Sequence, residues 1–303
     1  MQIAVTGSTG LIGRALTTSL RAEGHTVVPV VRRPVADGEL AVRWDPAAGM
    51  IDVAALDGLD AVVHLAGAGI GDHRWNDAYK REILDSRVRG TELLAGALAG
   101  LDRKPTVMVS GSAIGFYGAT GDTEVDESAP AGDDFLASVC VAWEGATAAA
   151  SEAGIRVPLL RTGIVLDRDG GALRKMLPLF KMFAGGRMGN GRQWWSWISM
   201  ADELAVIRWL LTADVHGPVN AVAPNPVTNR EFTAALAAAL HRPAFLPVPA
   251  FGPKLLLGGE LADALLFTSQ RVRPGVLEAR GFEFGTPALA DALATVLGAP
   301  RAA

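Results

Sequence analysis

The sequence predicts an α/β fold: a doubly wound parallel sheet followed by a smaller C-terminal α/β domain of the kind that binds substrates. Three observations lead there. Short apolar runs recur through the first half, at Ile3–Thr6, Thr26–Val31, Asp60–Leu65, Thr106–Ser110 and Val157–Arg161. Their apolar residues are consecutive rather than alternate, as in strands covered on both faces. Helix-length segments separate them, which is the spacing of βαβ units with right-handed crossovers.

The elements follow in order. Ile3–Thr6 opens the sheet, and a Gly-rich turn leads into a helix over Leu11–Ala22 that Gly24 closes. Thr26–Val31 is the second strand and Ala41–Trp44 the third. A turn at Asp57-Gly58 precedes the fourth strand, Asp60–Leu65. Arg74–Leu98 reads as one long helix or two abutting ones. Thr106–Ser110, a helix over Phe135–Glu152 and the strand Val157–Arg161 complete the alternation.

The pattern then loosens. Gly170–Phe183 is helical, Gly185–Gly191 is a Gly- and Arg-rich loop, Met200–Leu211 is a helix and Val219–Val222 a strand. Thr228 and Glu231 have capping-box spacing and start a helix that ends near Leu240. Pro247, Pro249 and Pro253 break regular structure. Short helices over Gly259–Leu266, Pro274–Arg280 and Pro287–Leu297 follow. With no repeat and no low-complexity linker, the first domain is read as 1–165 with 197–223, and the second as 166–196 with 224–303.

Composition excludes several classes. Of 303 residues, half are apolar and a fifth charged, and 28 Lys and Arg against 32 Asp and Glu leave a net charge of −4. This is a globular composition, without the basic footprint of a general nucleic-acid binder. The single cysteine, Cys140, excludes an intramolecular disulfide and a multi-thiolate metal site. The five His show no paired-ligand spacing, so no metal is expected. No charged leader followed by an apolar run is present, and no stretch of about 18 apolar residues. The expected location is the cytoplasm, with no membrane partner.

The strongest motif is Thr6-Gly7-Ser8-Thr9-Gly10-Leu11-Ile12-Gly13, a TGxxGxxG between the first strand and the first helix. Gly7 allows the tight turn, Gly10 lets the backbone approach a pyrophosphate, and Gly13 lets helix and strand pack closely. The helix amides then face the phosphates. The second strand ends in Arg32-Arg33-Pro34, where an NAD site would carry an acid on the ribose hydroxyls. A guanidinium there suits a 2′-phosphate, so the expected cofactor is NADP(H). His64, between Val63 and Leu65, reads as a packed strand residue.

Four segments in order, TGxxGxxG, His64-Leu65-Ala66-Gly67-Ala68, Arg87-Val88-Arg89-Gly90-Thr91, and Ser110-Gly111-Ser112 followed by Phe116-Tyr117-Gly118, resemble the extended short-chain dehydrogenase/reductase superfamily of NAD-dependent epimerase/dehydratase type. Gly189–Trp194 with Trp197-Ile198, and Ser269–Val272 with Pro274 and Gly281-Phe282, are similar to its "epimerase family protein" branch. The resemblance implies a Rossmann domain that holds NADP(H) through Gly7, Ser8, Thr9, Gly10, Leu11, Ile12, Gly13, Arg32, Arg33, Leu65, Ala66, Gly67, Arg87, Ser110 and Arg161. The C-terminal domain has no defined role.

The superfamily's chemistry runs on a Tyr-x-x-x-Lys pair, in which the Lys lowers the pKa of a phenol that otherwise titrates near 10. The chain has two tyrosines. Ile83 stands four residues after Tyr79, and Gly121 four after Tyr117, so the pair is absent. With Glu144 aligned on the acid that follows the motif, Leu136 takes the Tyr position and Cys140 the Lys position. Ser112 matches the substrate-polarising serine. Tyr117 is a candidate proton donor or a structural residue. Cys140, on an apolar helix face, reads as an inert thiol. Arg192 and Trp194 are candidate substrate contacts between the domains. Trp194, Trp195, Trp197 and Trp209 are equally suited to packing that junction. The expected function is an NADP(H)-binding oxidoreductase or epimerase-like protein for a small carbonyl or sugar-like substrate. The alternative is a catalytically silent NADP(H)-binding regulator or redox sensor.

Overall fold

The computed structural model describes residues 1–244 and 247–298. Its strands are β1 Gln2–Thr6, β2 Thr26–Val31, β3 Val42–Asp45, β4 Met50–Ile51, β5 Ala61–His64, β6 Val107–Ala113, β7 Glu124–Val125, β8 Pro158–Thr162, β9 Ile164–Leu166, β10 Trp194–Trp195, β11 Trp197–Ser199, β12 Gly217–Ala221, β13 Val227–Thr228 and β14 Arg271–Val272. The α-helices are α1 Leu11–Ala22, α2 Asp77–Ala99, α3 Phe135–Gly145, α4 Ala148–Glu152, α5 Gly171–Lys181, α6 Met200–Thr212, α7 Asn229–Ala239, α8 Phe251–Leu257, α9 Gly259–Ala262, α10 Gly275–Ala279 and α11 Leu289–Gly298.

Eight strands form one sheet in the order β12-β8-β6-β5-β1-β2-β3-β4, parallel throughout except for the terminal β3–β4 hairpin. The order reverses between β1 and β5, and at such a switch point the strand ends open a crevice. Because strand side chains alternate between faces, the sheet divides two cores. Ile3, Val5, Val63 and Val109 pack on one side with Leu16 of α1 and Val206, Ile207 and Leu210 of α6. Ala4, Val28, Val62 and Met108 pack on the other with Leu94 and Leu98 of α2. A third core joins Leu173 and Phe180 of α5, Trp195, Trp197, Phe232 of α7 and Leu293 of α11.

Three elements differ from the sequence reading. The expected helix over 135–152 is two helices, α3 and α4. At the break Thr147 turns its hydroxyl back onto the Glu144 carbonyl at 2.7 Å, and its amide bonds the same carbonyl in a tighter turn. The Pro-rich stretch expected to be irregular contains α8. Pro253 sits in that helix's first turn, where a missing N–H costs no hydrogen bond. The long helix starts at Asp77, because Asn76 caps it by accepting from the Tyr79 amide at 2.8 Å. The short pairs β9–β11, β10–β13 and β7–β14 went unread, since two- and three-residue strands carry too little periodicity. The Thr228–Glu231 capping box is present. Among the described residues no helix is long and apolar enough to cross a membrane, and no cluster of three or more His, Cys, Asp or Glu is placed to hold a metal.

Candidate active site

The crevice at the switch point is a cleft of about 810 Å³, lined by Gly7, Ser8, Thr9 and Gly10 after β1, by Arg32 and Arg33 after β2, by Trp44, and by Leu65 through Gly69 after β5. Its floor depends on two glycines. Gly7 has φ +64°, and a Cβ there would stand 2.8 Å from the Leu65 carbonyl oxygen. A Cβ on Gly13 would stand 2.2 Å from that of Gly7. α1 begins with Gly10 at its N-cap, with no side-chain cap and no acid in its first turn. Its leading amides are therefore left for an external anion. Leu11, Ile12 and Gly13 set that helix start but do not line the cleft.

A hydrogen-bond chain fixes the loop after β5. Thr6 Oγ1 accepts from the Leu65 and Ala66 amides at 3.0 and 3.1 Å and meets His64 Nδ1 at 2.8 Å. His64 Nε2 meets Thr91 Oγ1 at 2.9 Å, and Thr91 donates to the Arg87 carbonyl at 2.7 Å. The directions are consistent only if His64 is neutral with its proton on Nε2. Complete burial pushes its pKa down to about 4, in agreement. His64 is structural, as its neighbours suggested.

The two cations after β2 differ. Arg33 pairs with Glu39, which also accepts from the Ala36 amide, and the Arg33 hydrogen bond holds the Glu39 carboxyl down at about 2. Arg32 lines the cleft with no acidic partner among the described residues.

A second cavity of about 270 Å³ has Ile70, next to Gly69 of the cleft, in its lining. Its walls include Leu136, Val139, Cys140, Trp143, Trp194, Trp195 and Leu265, with Ser112, Thr162 and Gln270 among its polar members. Leu136 and Cys140, aligned on the missing Tyr and Lys, both face it. Burial pushes the Cys140 thiol up to about 11, and the nearby Glu144 adds to the effect. It carries no thiolate near neutrality.

Three predicted site residues are locked in one buried cluster. Ser112, Arg161 and Asn220 lie side by side on β6, β8 and β12. Arg161 bonds both oxygens of Glu144 at 2.8 Å, donates to Tyr117 Oη at 2.9 Å, and stacks its guanidinium 3.4 Å from the centre of the Phe116 ring. Burial opposes its charge, but Glu144 and Tyr117 hold its pKa above the usual guanidinium value. Tyr117 donates to Asn220 Oδ1 at 2.7 Å, and burial pushes its phenol up to about 12. Ser112 donates to Glu144 at 2.6 Å.

These contacts give Tyr117 the structural role of its two readings and place the other expected site residues as follows. Tyr117 lines neither cavity, so its hydroxyl serves the cluster rather than a substrate. Arg161 is internal and lines neither cavity. Ser112 does line the second cavity, yet its proton is committed to Glu144. Ser110 is fully buried within β6 and lines neither cavity. Arg87 lines the second cavity rather than the cleft. It donates to the Ala68 and Ile83 carbonyls and lies 4.9 Å from the Trp143 ring centre. Trp194 lines the second cavity, with its indole N–H on Asp122, while Arg192 is exposed and lines neither.

One residue escaped the sequence reading. Glu203, in the first turn of α6, is completely buried behind Thr162, whose hydroxyl donates to Glu203 Oε1 at 2.9 Å. The available signal was an acid in helical phase with Val206, Ile207 and Leu210, on the face that must enter the core.

Comparison with known proteins fits this geometry. The family model described as NAD dependent epimerase/dehydratase family matches residues 3–223, and a domain of unknown function (DUF1731) matches residues 248–296. The chain is 45% identical over 292 residues to the "Epimerase family protein Mb2239" of Mycobacterium bovis, covering 96% of each. It is similar to the crystal structure of human epimerase family protein SDR39U1 (isoform2) with NADPH at TM-score 0.89 and 36% identity, over 98% of this chain and 99% of that one. It is also similar to the structure of a nucleoside-diphosphate sugar epimerase from Corynebacterium glutamicum at TM-score 0.78 and 40% identity, over 98% of this chain and 58% of that one.

Proposed function

The chain belongs to the NAD dependent epimerase/dehydratase family, and from that premise we propose that it binds NADP(H) in the cleft and reduces a small, largely apolar carbonyl compound in the second cavity. The observation that carries this reading is that adjacent residues of one loop line the two spaces, Gly69 the cleft and Ile70 the cavity. A dinucleotide laid along Leu65–Gly69 is thereby aimed at the cavity.

The residues fit such a cofactor. The Gly7–Gly10 turn and the uncapped start of α1 receive a pyrophosphate. Arg32, unlike Arg33, is free to meet a 2′-phosphate. The human relative solved with NADPH supports the same choice. When bound, NADPH supplies a hydride.

The second cavity favours an apolar carbonyl over a sugar. Its walls are largely Trp, Leu, Val and Ile, and several of its polar side chains are already engaged. Ser112 is bonded to Glu144, Thr268 to the Asp263 carbonyl, and the Gln270 amide N–H to the Ile114 and Gly118 carbonyls. A sugar would need several open partners, whereas a flat apolar body needs only the indole and aliphatic walls.

A second reading, a silent NADP(H)-binding regulator, is favoured by one specific observation: Tyr117 and Ser112 both have their protons committed inside the protein. The two readings separate on a panel of aromatic and aliphatic aldehydes, ketones and quinones. Oxidation of NADPH above the carbonyl-free rate supports the reductase. Tight NADPH binding with no oxidation across the panel supports the regulator.

A further inference from the structure

Reducing a carbonyl requires a proton as well as a hydride, and the residues nearest the second cavity do not supply one. Tyr117 and Cys140 titrate far above neutrality, and Glu144 is ion-paired with Arg161 and accepts from Ser112. Glu203 is different. It is 0% exposed, its Oε1 has a single partner in Thr162 Oγ1, and its Oε2 is buried with none among the described residues. A buried carboxylate with one hydrogen bond and no cation is very costly, and a purely structural acid is expected to satisfy both oxygens. The neutral carboxyl resolves the conflict. Burial pushes the Glu203 pKa up to about 8, opposed only by the Thr162 hydrogen bond.

The charged groups around it are otherwise engaged. Asp202, its neighbour on α6, accepts from the Gly285 and Thr286 amides. Arg161, beside Thr162 on β8, points to the opposite face of the sheet and pairs with Glu144. Thr162 donates to Glu203 Oε1 across 2.9 Å, but with the acid neutral and without a cation the same contact also runs the other way, from the carboxyl O–H to Thr162 Oγ1, unlike the contact of Ser112 with the ion-paired Glu144. Thr162 thus stands between a buried acid and the cavity it lines.

We propose that Thr162 is the catalytic hydroxyl that protonates the product oxygen in the second cavity, with Glu203 behind it as the positioning acid that resupplies its proton. The proposal rests on the reductase reading above. The carbonyl carbon gains a hydride from the reduced nicotinamide, and the C=O π pair moves onto oxygen. That oxygen takes the Thr162 hydroxyl proton, forming the alcohol O–H bond. Thr162 is restored as the Glu203 carboxyl O–H bond breaks and leaves its pair on the carboxylate. Glu203 then regains a proton from solvent through Thr162, its one hydrogen-bond partner among the described residues, between turnovers. Threonine alone is far too weak an acid for this step, so the carboxyl behind it makes the transfer feasible near neutrality.

Infrared difference spectroscopy of the cofactor-loaded protein, wild type against Glu203→Gln, reads the carboxyl directly. A protonated-carboxyl C=O band at neutral pH, absent from Glu203→Gln, is expected to give way to a carboxylate band near pH 8. It should also shift in Thr162→Val, which loses the hydrogen bond. An ionised Glu203 at neutral pH overturns the proposal. In the kinetic arm, NADPH oxidation is followed with nitrobenzaldehyde and phenanthrenequinone. Wild-type kcat should fall with pH through the same midpoint. Thr162→Val and Glu203→Gln should lower kcat about a hundredfold with little change in KM, and Thr162→Ser should retain it. If wild type oxidises no NADPH with either compound, the reductase reading fails and the relay with it. If wild type does and both variants keep its kcat and pH profile, the relay alone is overturned.

Discussion

Ser112 Oγ donates to Glu144 Oε1 across 2.6 Å, and the same Glu144 oxygen accepts from Arg161 at 2.8 Å. The serine that family resemblance assigns to polarising a substrate is thus a spoke of a buried ion pair. Ser112→Ala is expected to leave NADPH oxidation within about threefold of wild type. It should lower stability by about 1–3 kcal/mol, the cost of removing a partner from a charged hydrogen bond. Steady-state kinetics beside urea unfolding separates the two effects.

The Arg161–Glu144 pair is the hub of that cluster, with side chains 4% and 10% exposed. Arg161→Met strands Glu144 without its cation and removes a donor to Tyr117. A loss of about 3–5 kcal/mol is expected, as for breaking one side of a buried pair. Equilibrium denaturation checks it.

Cofactor choice should divide between neighbouring arginines. Arg32→Ala is expected to weaken NADPH binding by about tenfold or more, the scale of a charged hydrogen bond, and to leave NADH binding unchanged. Arg33→Ala should do much less, because Glu39 already holds that side chain. Calorimetric titration of each variant with both nucleotides gives the comparison.

Much of this was legible from the chain. TGxxGxxG, the β-branched runs and Arg32 located the sheet, the switch-point cleft and its free cation, because each depends on local backbone geometry or on a strand end. His64 was readable from its apolar neighbours. The Ser112–Glu144–Arg161–Tyr117 cluster was not, since it joins two strands, a helix and the turn after β6 from separate parts of the chain. A motif names the residue type at a position but not the partner that consumes its proton. Glu203 was missed for a related reason. Beside Asp202 at a helix start it looks like an ordinary dipole-compensating acid; both are buried, and only packing reveals that Asp202 meets the Gly285 and Thr286 amides while Glu203 Oε2 meets no partner among the described residues.

The pH dependence of stability should have two flanks. Glu203 is raised from 4.5 to about 8, so the fold prefers its protonated form. That contribution is fully present below about pH 4.5 and is lost as pH rises toward and through 8, on the order of a few kcal/mol. His64 is lowered from 6.5 to about 4, so its contribution is present above pH 6.5 and is lost as pH falls through 4. Urea midpoints measured across this range should fall on both flanks. Glu203→Gln should flatten the alkaline flank and leave the acid one.

In the proposed function, the cleft and the second cavity serve one hydride transfer. The direct measurement uses NADPH carrying deuterium at the transferable position of the nicotinamide, incubated with the protein and an apolar aldehyde or quinone on which oxidation is seen. One deuterium is expected in the isolated alcohol, taken from one face of the cofactor. Tight binding of labelled NADPH with no label in any product of the carbonyl panel would contradict it.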